Sequence, residues 1–190
     1  DRSYFGGCSN GGRHTLVTAA RYADEYDGYL AGAPGYNLPL AALANIFGGQ
    51  RYRSISDDPT SITAANLATA WTAAERSLVS QAVLSKCDAL DGASDGMVQD
   101  TTACQAAFNL QSDVPTCSGA RDGTCLTAAQ KGVIAEIFAG PKTSAGAAVY
   151  ASFPFDSGHG TAGVASWEFN APLDRDSGAV GLIFKVPQLS

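Results

Sequence analysis

The stretch Tyr4-Phe5-Gly6-Gly7-Cys8-Ser9-Asn10-Gly11-Gly12-Arg13-His14 constrains the fold more than any other part of this chain. Within it, Gly7-Cys8-Ser9-Asn10-Gly11 fits G-x-S-x-G, the pattern of a nucleophile elbow. A strand that turns sharply into a helix has no room for a Cβ on either side of the bend, so glycines are expected there. The serine between them is expected in a strained backbone conformation, its hydroxyl standing above the sheet. The flanks supply the required context. Ser3-Tyr4-Phe5 reads as the end of a strand. Downstream, Leu16, Val17, Ala20 and Tyr22 or Ala23 recur at helical spacing up to Asp27-Gly28. The bare pattern is common in glycine-rich chains; strand, elbow and helix in this order make it informative.

With 190 residues, the chain can bury about 70% of its unfolded surface, enough for one domain plus an insertion. Its low charge density and abundant Gly and Ala indicate a globular chain. The net charge of −6 argues against nucleic acid or an anionic membrane as partner. No apolar run has the length of a membrane span, and residues 31–49 are interrupted by prolines and glycines. The chain opens on Asp1 rather than Met, inside an expected strand. It reads as a fragment or a processed product, so a missing leader says little.

Cys8, Cys87, Cys104, Cys117 and Cys125 make an odd number. Four of them fall in a segment rich in Asp, Gly, Ser and Thr, which suggests local loop staples formed in an oxidising compartment, secreted or periplasmic. The expected pairs are Cys87–Cys104 and Cys117–Cys125, each stabilising by about 2.5–3 kcal/mol through loop entropy. Zinc fits poorly, because the cluster has no C-x-x-C pair and no histidine. Cys8 is left over, either a buried free thiol or paired outside this chain.

Residues 1–38 read as strand, elbow, helix and a second short strand, Gly28–Pro34. The remainder, 39–190, reads as a second, largely helical and loop-rich region. Residues 41–47 and 63–87 have helical apolar spacing, the latter through Leu67, Ala70, Trp71, Ala74, Leu78 and Ala82. Thr127-Ala128-Ala129-Gln130 fits a capping box opening a helix through Val133, Ile134 and Ile137, which stops at Gly140-Pro141. Beyond it, 149–155 and 178–187 read as possible short strands, and the last part of the chain carries only weak signals.

The second informative stretch is the loop 87–104, where Asp88, Asp91 and Asp95 alternate with Gly92 and Gly96. Converging carboxylates repel one another unless a cation neutralises them. Hard oxygen donors suit calcium, with the carbonyls of Ala93 and Met97 completing the shell. The spacing is not that of an EF-hand. A solvated acidic turn built on Asp-Gly chemistry explains the same residues, and both readings stay open at this stage.

Taken in order, residues 4–14, 20–35, 86–100 and 125–141 strongly resemble the tannase and feruloyl esterase family of α/β-hydrolases, over about residues 3–170. The resemblance implies a partial α/β-hydrolase core with a lid domain carrying a calcium loop. It implies that Ser9 is the nucleophile and that the Asn10 N–H is an oxyanion donor. It also implies that Asp88, Asp91 and Asp95, with the Ala93 and Met97 carbonyls, bind Ca2+. In that family the cysteine before the nucleophile is tied to one beside the catalytic histidine, so Cys8 resembles half of that clamp. The family's catalytic Asp and its His-Cys pair have no counterpart in these 190 residues.

Neither histidine present is a good substitute. His14 lies five residues past Ser9, about 140° further round a helix, and should point away. His159 shares one short loop with Asp156, too tight for a base and its orienting acid. Arg13, Trp71, Phe155 and Trp167 are candidates for lining an aromatic pocket, though such residues more often serve packing. The resulting expectation is a serine carboxylic ester hydrolase acting on small aromatic-acid esters through an acyl-enzyme, with activity impaired in this chain. The alternative is a non-catalytic, calcium-binding, disulfide-stapled binding module. The oligomeric state is open.

Overall fold

The computed structural model describes residues 1–187. The chain divides into two compact units, Asp1–Leu38 and the part from Pro39 onward.

The first unit is a strand–helix–strand motif. Strand β1 (Tyr4–Cys8) is followed by helix α1 (Asn10–Arg21), a 3₁₀ turn (Ala23–Glu25) and strand β2 (Gly28–Gly32). The strands are parallel, in register from Tyr4↔Gly28 to Cys8↔Gly32, as a helical crossover requires. Asp27 closes the open end of the pair: its N–H donates to the Ser3 carbonyl, and its Oδ2 accepts from the Ser3 N–H at 2.7 Å. The buried residues of α1 are Gly12 and Thr15. The apolar row read from the sequence is not the buried one, since Leu16, Val17 and Tyr22 are exposed. Small residues face inward here because α1 approaches the backbone of the β2 end closely.

The second unit is helical. Helix α2 (Leu38–Arg53) leads to α3 (Ala64–Leu67), which tightens into a 3₁₀ turn (Ala68–Ala70) before α4 (Ala73–Cys87). The sequence pattern suggested one helix across 63–87; the structure breaks it at Trp71-Thr72. Thr72 accepts from the Glu75 N–H and Glu75 accepts from the Thr72 N–H, a reciprocal capping box that starts a new helix. Short helices α5 (Thr101–Ala107) and α6 (Leu110–Asp113) precede α7 (Ala128–Phe138). The latter opens on the expected Thr127/Gln130 capping box, and Gly140 takes a left-handed φ of 81° just beyond its end. Gln130 also donates to the Ala70 carbonyl at 2.9 Å, fixing α7 against the kink.

The core of this unit gathers Tyr52, Leu67, Trp71, Val79, Val83, Leu126, Ile134 and Phe169. Disulfides join Cys87 to Cys104 and Cys117 to Cys125, the pairs read from their clustering. The stretches 149–155 and 178–187 are not strands. The first has no regular structure, and Ala179–Phe184 is helical, continuing α8 (Ala162–Ala165) through wide π-type turns. Short apolar runs carry no period long enough to separate strand from helix. No helix among the described residues is long and apolar enough to cross a membrane.

Candidate active site

Ser9 occupies the single residue between β1 and α1 with φ 57° and ψ −118°, a conformation that costs a non-glycine residue about 1–3 kcal/mol. Its backbone is over-determined. The Ser9 N–H donates to the Gly32 carbonyl at 3.1 Å, and the Ser9 carbonyl accepts from Arg13 at 3.1 Å and from Gly35 at 3.0 Å. The side chain is exposed, and its hydroxyl makes no hydrogen bond among the described residues. Asn10 follows in the first turn of α1, where N–H groups have no helical acceptor.

The glycines divide the work differently from the motif. A Cβ on Gly7 would lie 2.7–2.9 Å from backbone atoms of Gly11. A Cβ on Gly11 itself would meet nothing within 4 Å, so the clash expected there does not occur. The constrained downstream position is Gly12, whose Cβ would fall 2.6 Å from the Gly32 carbonyl oxygen and 2.9 Å from Pro34 Cα. The narrow approach is between α1 and the segment leaving β2, one residue beyond the motif's last glycine.

Cys8 is an exposed free thiol among the described residues, which removes the buried-thiol reading. His14 is exposed on α1. In the second unit, Asp156 and His159 form a local cap rather than a catalytic pair. The Asp156 N–H donates to His159 Nε2 at 3.1 Å, while Asp156 Oδ1 accepts from Gly158. His159 is buried among Trp71, Phe138 and Phe155. Burial lowers its pKa, against the opposing charge of Asp156. Of the aromatic candidates, Trp71 is wholly buried core, Phe155 packs against Phe108 and Phe138, and Trp167 is exposed with Arg175 over its ring at 4.4 Å.

In the acidic loop the carboxylates are turned on the backbone. Asp88 Oδ1 accepts from Asp95 N and Gly96 N, at 3.1 and 2.8 Å. Asp91 accepts from Ala93 N and Gln99 N, and Asp95 from Met97 N. Gly92 and Gly96 take the left-handed φ values of 94° and 81° that such turns need. No group of three or more His, Cys, Asp or Glu among the described residues is gathered to hold a metal. By type the oxygen-only donor set fits a hard cation. The Asp88 bonds hold Asp88 and Asp95 in one turn, and the second oxygen of each makes no protein hydrogen bond among the described residues.

The tannase and feruloyl esterase family model matches residues 1–177. The chain belongs to that family. It is 38% identical over 167 residues to a mono(2-hydroxyethyl) terephthalate hydrolase of Piscinibacter sakaiensis, covering 83% of this chain and 27% of that protein. It is 36% identical over 171 residues to a probable feruloyl esterase B-1 of Aspergillus fumigatus, covering 83% and 30%. The chain therefore spans less than a third of the length of these relatives. The fold is similar to that of feruloyl esterase B from Aspergillus oryzae, with a TM-score of 0.66 at 23% identity over 98% of this chain and 35% of that one. Tannin acyl hydrolase from Aspergillus niger gives 0.60 at 24% identity, over 80% and 26%.

Proposed function

We propose that this chain is the nucleophile-bearing part of a serine carboxylic ester hydrolase acting on aromatic-acid esters. The observation that carries the reading is Ser9, strained and exposed between strand and helix, its hydroxyl unengaged, in a chain of the tannase and feruloyl esterase family. Ser9 Oγ attacks the ester carbonyl and loses its proton to a base. The tetrahedral oxyanion is met by the Asn10 N–H; on its collapse the ester C–O bond breaks, the protonated base gives its proton to the departing alkoxide, and an acyl-serine is left. The base then takes a proton from water as the water attacks the acyl-serine, and passes it to Ser9 Oγ as the aromatic acid leaves. The base and its orienting acid lie outside these 190 residues, as does the partner of Cys8. The chain alone is then a poor or inactive esterase. On this reading the helical second unit is the lid domain that the family resemblance implies.

Calcium fits this reading as a structural ion. Asp88, Asp91 and Asp95, with the carbonyls of Ala93 and Met97, would hold it, and its charge would offset carboxylate repulsion in the loop closed by Cys87–Cys104. The two disulfides suit an oxidising compartment, secreted or periplasmic.

Ser9→Ala in the longer parent protein tests the chemistry. Release of ferulate or gallate from the methyl esters should collapse, and undiminished release refutes the assignment. A non-catalytic calcium module would not respond to Ser9→Ala at all. Thermal unfolding with millimolar calcium tests the metal, and an unmoved midpoint removes it.

A further inference from the structure

Gly32, Ala33, Pro34 and Gly35 carry the chain away from the end of β2, and this short segment holds Ser9 on both sides of its Cα. The Gly32 carbonyl accepts the Ser9 N–H at 3.1 Å, and the Gly35 N–H donates to the Ser9 carbonyl at 3.0 Å. Between these two bonds Ala33 takes φ 37°, a left-handed value that favours glycine. Strained backbone of this kind persists only where its surroundings hold it, and it gathers at functional sites.

The bond from Gly35 reaches further than Ser9. A peptide unit is a rigid plane, and the Ser9–Asn10 bond is trans. The Ser9 C=O and the Asn10 N–H therefore point in opposite directions, and whatever fixes the carbonyl also aims the N–H. Both lone pairs of the carbonyl are engaged: the Arg13 N–H donates at 3.1 Å and the Gly35 N–H at 3.0 Å. The Arg13 bond belongs to α1 and would form in any helix starting here. The Gly35 bond comes from outside the helix. On the far edge of the plane, the Asn10 N–H is given to no backbone carbonyl among the described residues, as the first turn of a helix leaves it. Hydrogen bonds into the carbonyl also polarise that N–H and strengthen it as a donor.

We propose that the Gly35 N–H is a positioning group for the oxyanion donor: it pins the Ser9–Asn10 peptide plane so that the Asn10 N–H faces the oxygen on which charge develops. The inference rests on the hydrolase reading and adds to it a residue that never touches the substrate.

The structure also shows how to remove this one donor cleanly. The Tyr36 N–H donates to the Pro34 carbonyl at 2.8 Å, a three-residue turn centred on Gly35. Gly35 is not among the glycines at positive φ, so the turn is of the inverse γ type, with a central φ of about −75°. Proline, held at about −65°, suits that position. A Cβ there would meet only the Leu38 side chain, at 3.3 Å.

The test compares Gly35→Pro with Gly35→Ala in a protein that carries this chain and the whole triad, with Ser9→Ala alongside. Outright loss of an oxyanion donor costs about 10²–10³ in kcat. A donor still present but no longer pinned should cost less. Gly35→Pro should lower kcat for methyl ferulate about tenfold with KM within about twofold, because the affected bond is made only in the transition state. Gly35→Ala adds the same Cβ but keeps the N–H, and should stay within about twofold of wild type. An ester in place of the Pro34–Gly35 amide deletes the N–H without a new side chain, and should match Gly35→Pro. The proposal is overturned if Gly35→Pro and the ester keep wild-type kcat, if Gly35→Ala loses as much as Gly35→Pro, or if the loss falls on KM. Undiminished turnover in Ser9→Ala overturns the hydrolase reading instead; an inactive Ser9→Ala protein beside an unaffected ester variant overturns the positioning role alone.

Discussion

Adjacent glycines in α1 make a sharp experiment, because the motif points to Gly11 and the structure points to Gly12. An alanine Cβ at position 12 would sit 2.6 Å from the Gly32 carbonyl oxygen and 2.9 Å from Pro34 Cα. Both are backbone atoms and cannot swing aside as a side-chain tip can. Overpacking of this kind costs about 3 kcal/mol at the upper end, offset by about 1 kcal/mol of improved helix propensity. Gly12→Ala should therefore destabilise the first unit by about 2 kcal/mol. Gly11→Ala meets nothing and keeps only the propensity gain, about 1 kcal/mol stabilising. The difference of about 3 kcal/mol corresponds to roughly 100-fold in the opening equilibrium. Native-state hydrogen exchange of the β1, α1 and β2 amides reads it directly. Tyr4, Tyr22, Tyr26, Tyr29 and Tyr36 add ring resonances from the first unit, whereas Trp71 and Trp167 both report on the second. The carbonyl struck by the new methyl is the one that anchors the Ser9 N–H. On the proposed hydrolase reading, Gly12→Ala should consequently lower kcat in a protein that carries the whole triad, while Gly11→Ala leaves it near wild type. Equal effects at the two positions, or the reverse order, would refute the reasoning.

Ser9→Gly should stabilise the first unit by about 1 kcal/mol, because glycine adopts φ 57° without the serine's strain; Ser9→Ala should not, and hydrogen exchange separates the two. Lys131 is fully buried, with its ammonium donating to the Gln111 and Val114 carbonyls and to Thr116 Oγ1. Lys131→Met leaves those carbonyls without a donor at about 1–3 kcal/mol each, and relief of the buried charge offsets part of this. A net loss of about 2–4 kcal/mol by urea unfolding is expected. Burial holds the His159 pKa below 6.5 and the Glu168 pKa above 4.5. Below pH 6.5 the unfolded chain takes up a proton that folded His159 refuses, so stability should fall on acidification. Folded Glu168 retains its proton above pH 4.5, so its contribution is full at low pH and is lost as pH rises through its raised pKa. His159→Phe should flatten the first slope and Glu168→Gln the second in thermal midpoints measured from pH 4 to 8; an unchanged slope in either variant removes that assignment.

Features with a local chemical cause were legible in the residues. The elbow and the Thr127 cap depend on neighbours a few positions apart, and the disulfide partners are only 17 and 8 residues apart. Thr72-Ala73-Ala74-Glu75 carries the same capping signature as Thr127-Ala128-Ala129-Gln130, yet the apolar period running through Trp71 concealed it. Trp71 kept that period because it is core on both sides of the break, packing on Tyr52 and on Phe138. The contacts of Asn45 and Glu168 had no sequence signal. Each depends on a partner brought close only by folding: Asp176 lies 131 residues from Asn45, and Arg76 and Tyr52 are remote from Glu168. Gly12 likewise looked like any helical glycine until the end of β2 came to rest against it.

The segment from Cys117 to Cys125 is fastened twice. Besides its disulfide, Arg121 forks onto the buried Glu75 carboxylate at 2.8 and 2.7 Å and donates to the Thr69 carbonyl. The two fastenings fail under unrelated conditions. Dithiothreitol opens the sulfur bridge and spares the ion pair; acid attacks the carboxylate and spares the sulfur. Salt disturbs neither strongly, because Glu75 is shielded from solvent. Redundancy of this kind lets the segment keep its place when either bond alone is broken, so a host with a reducing interior can still yield it correctly seated.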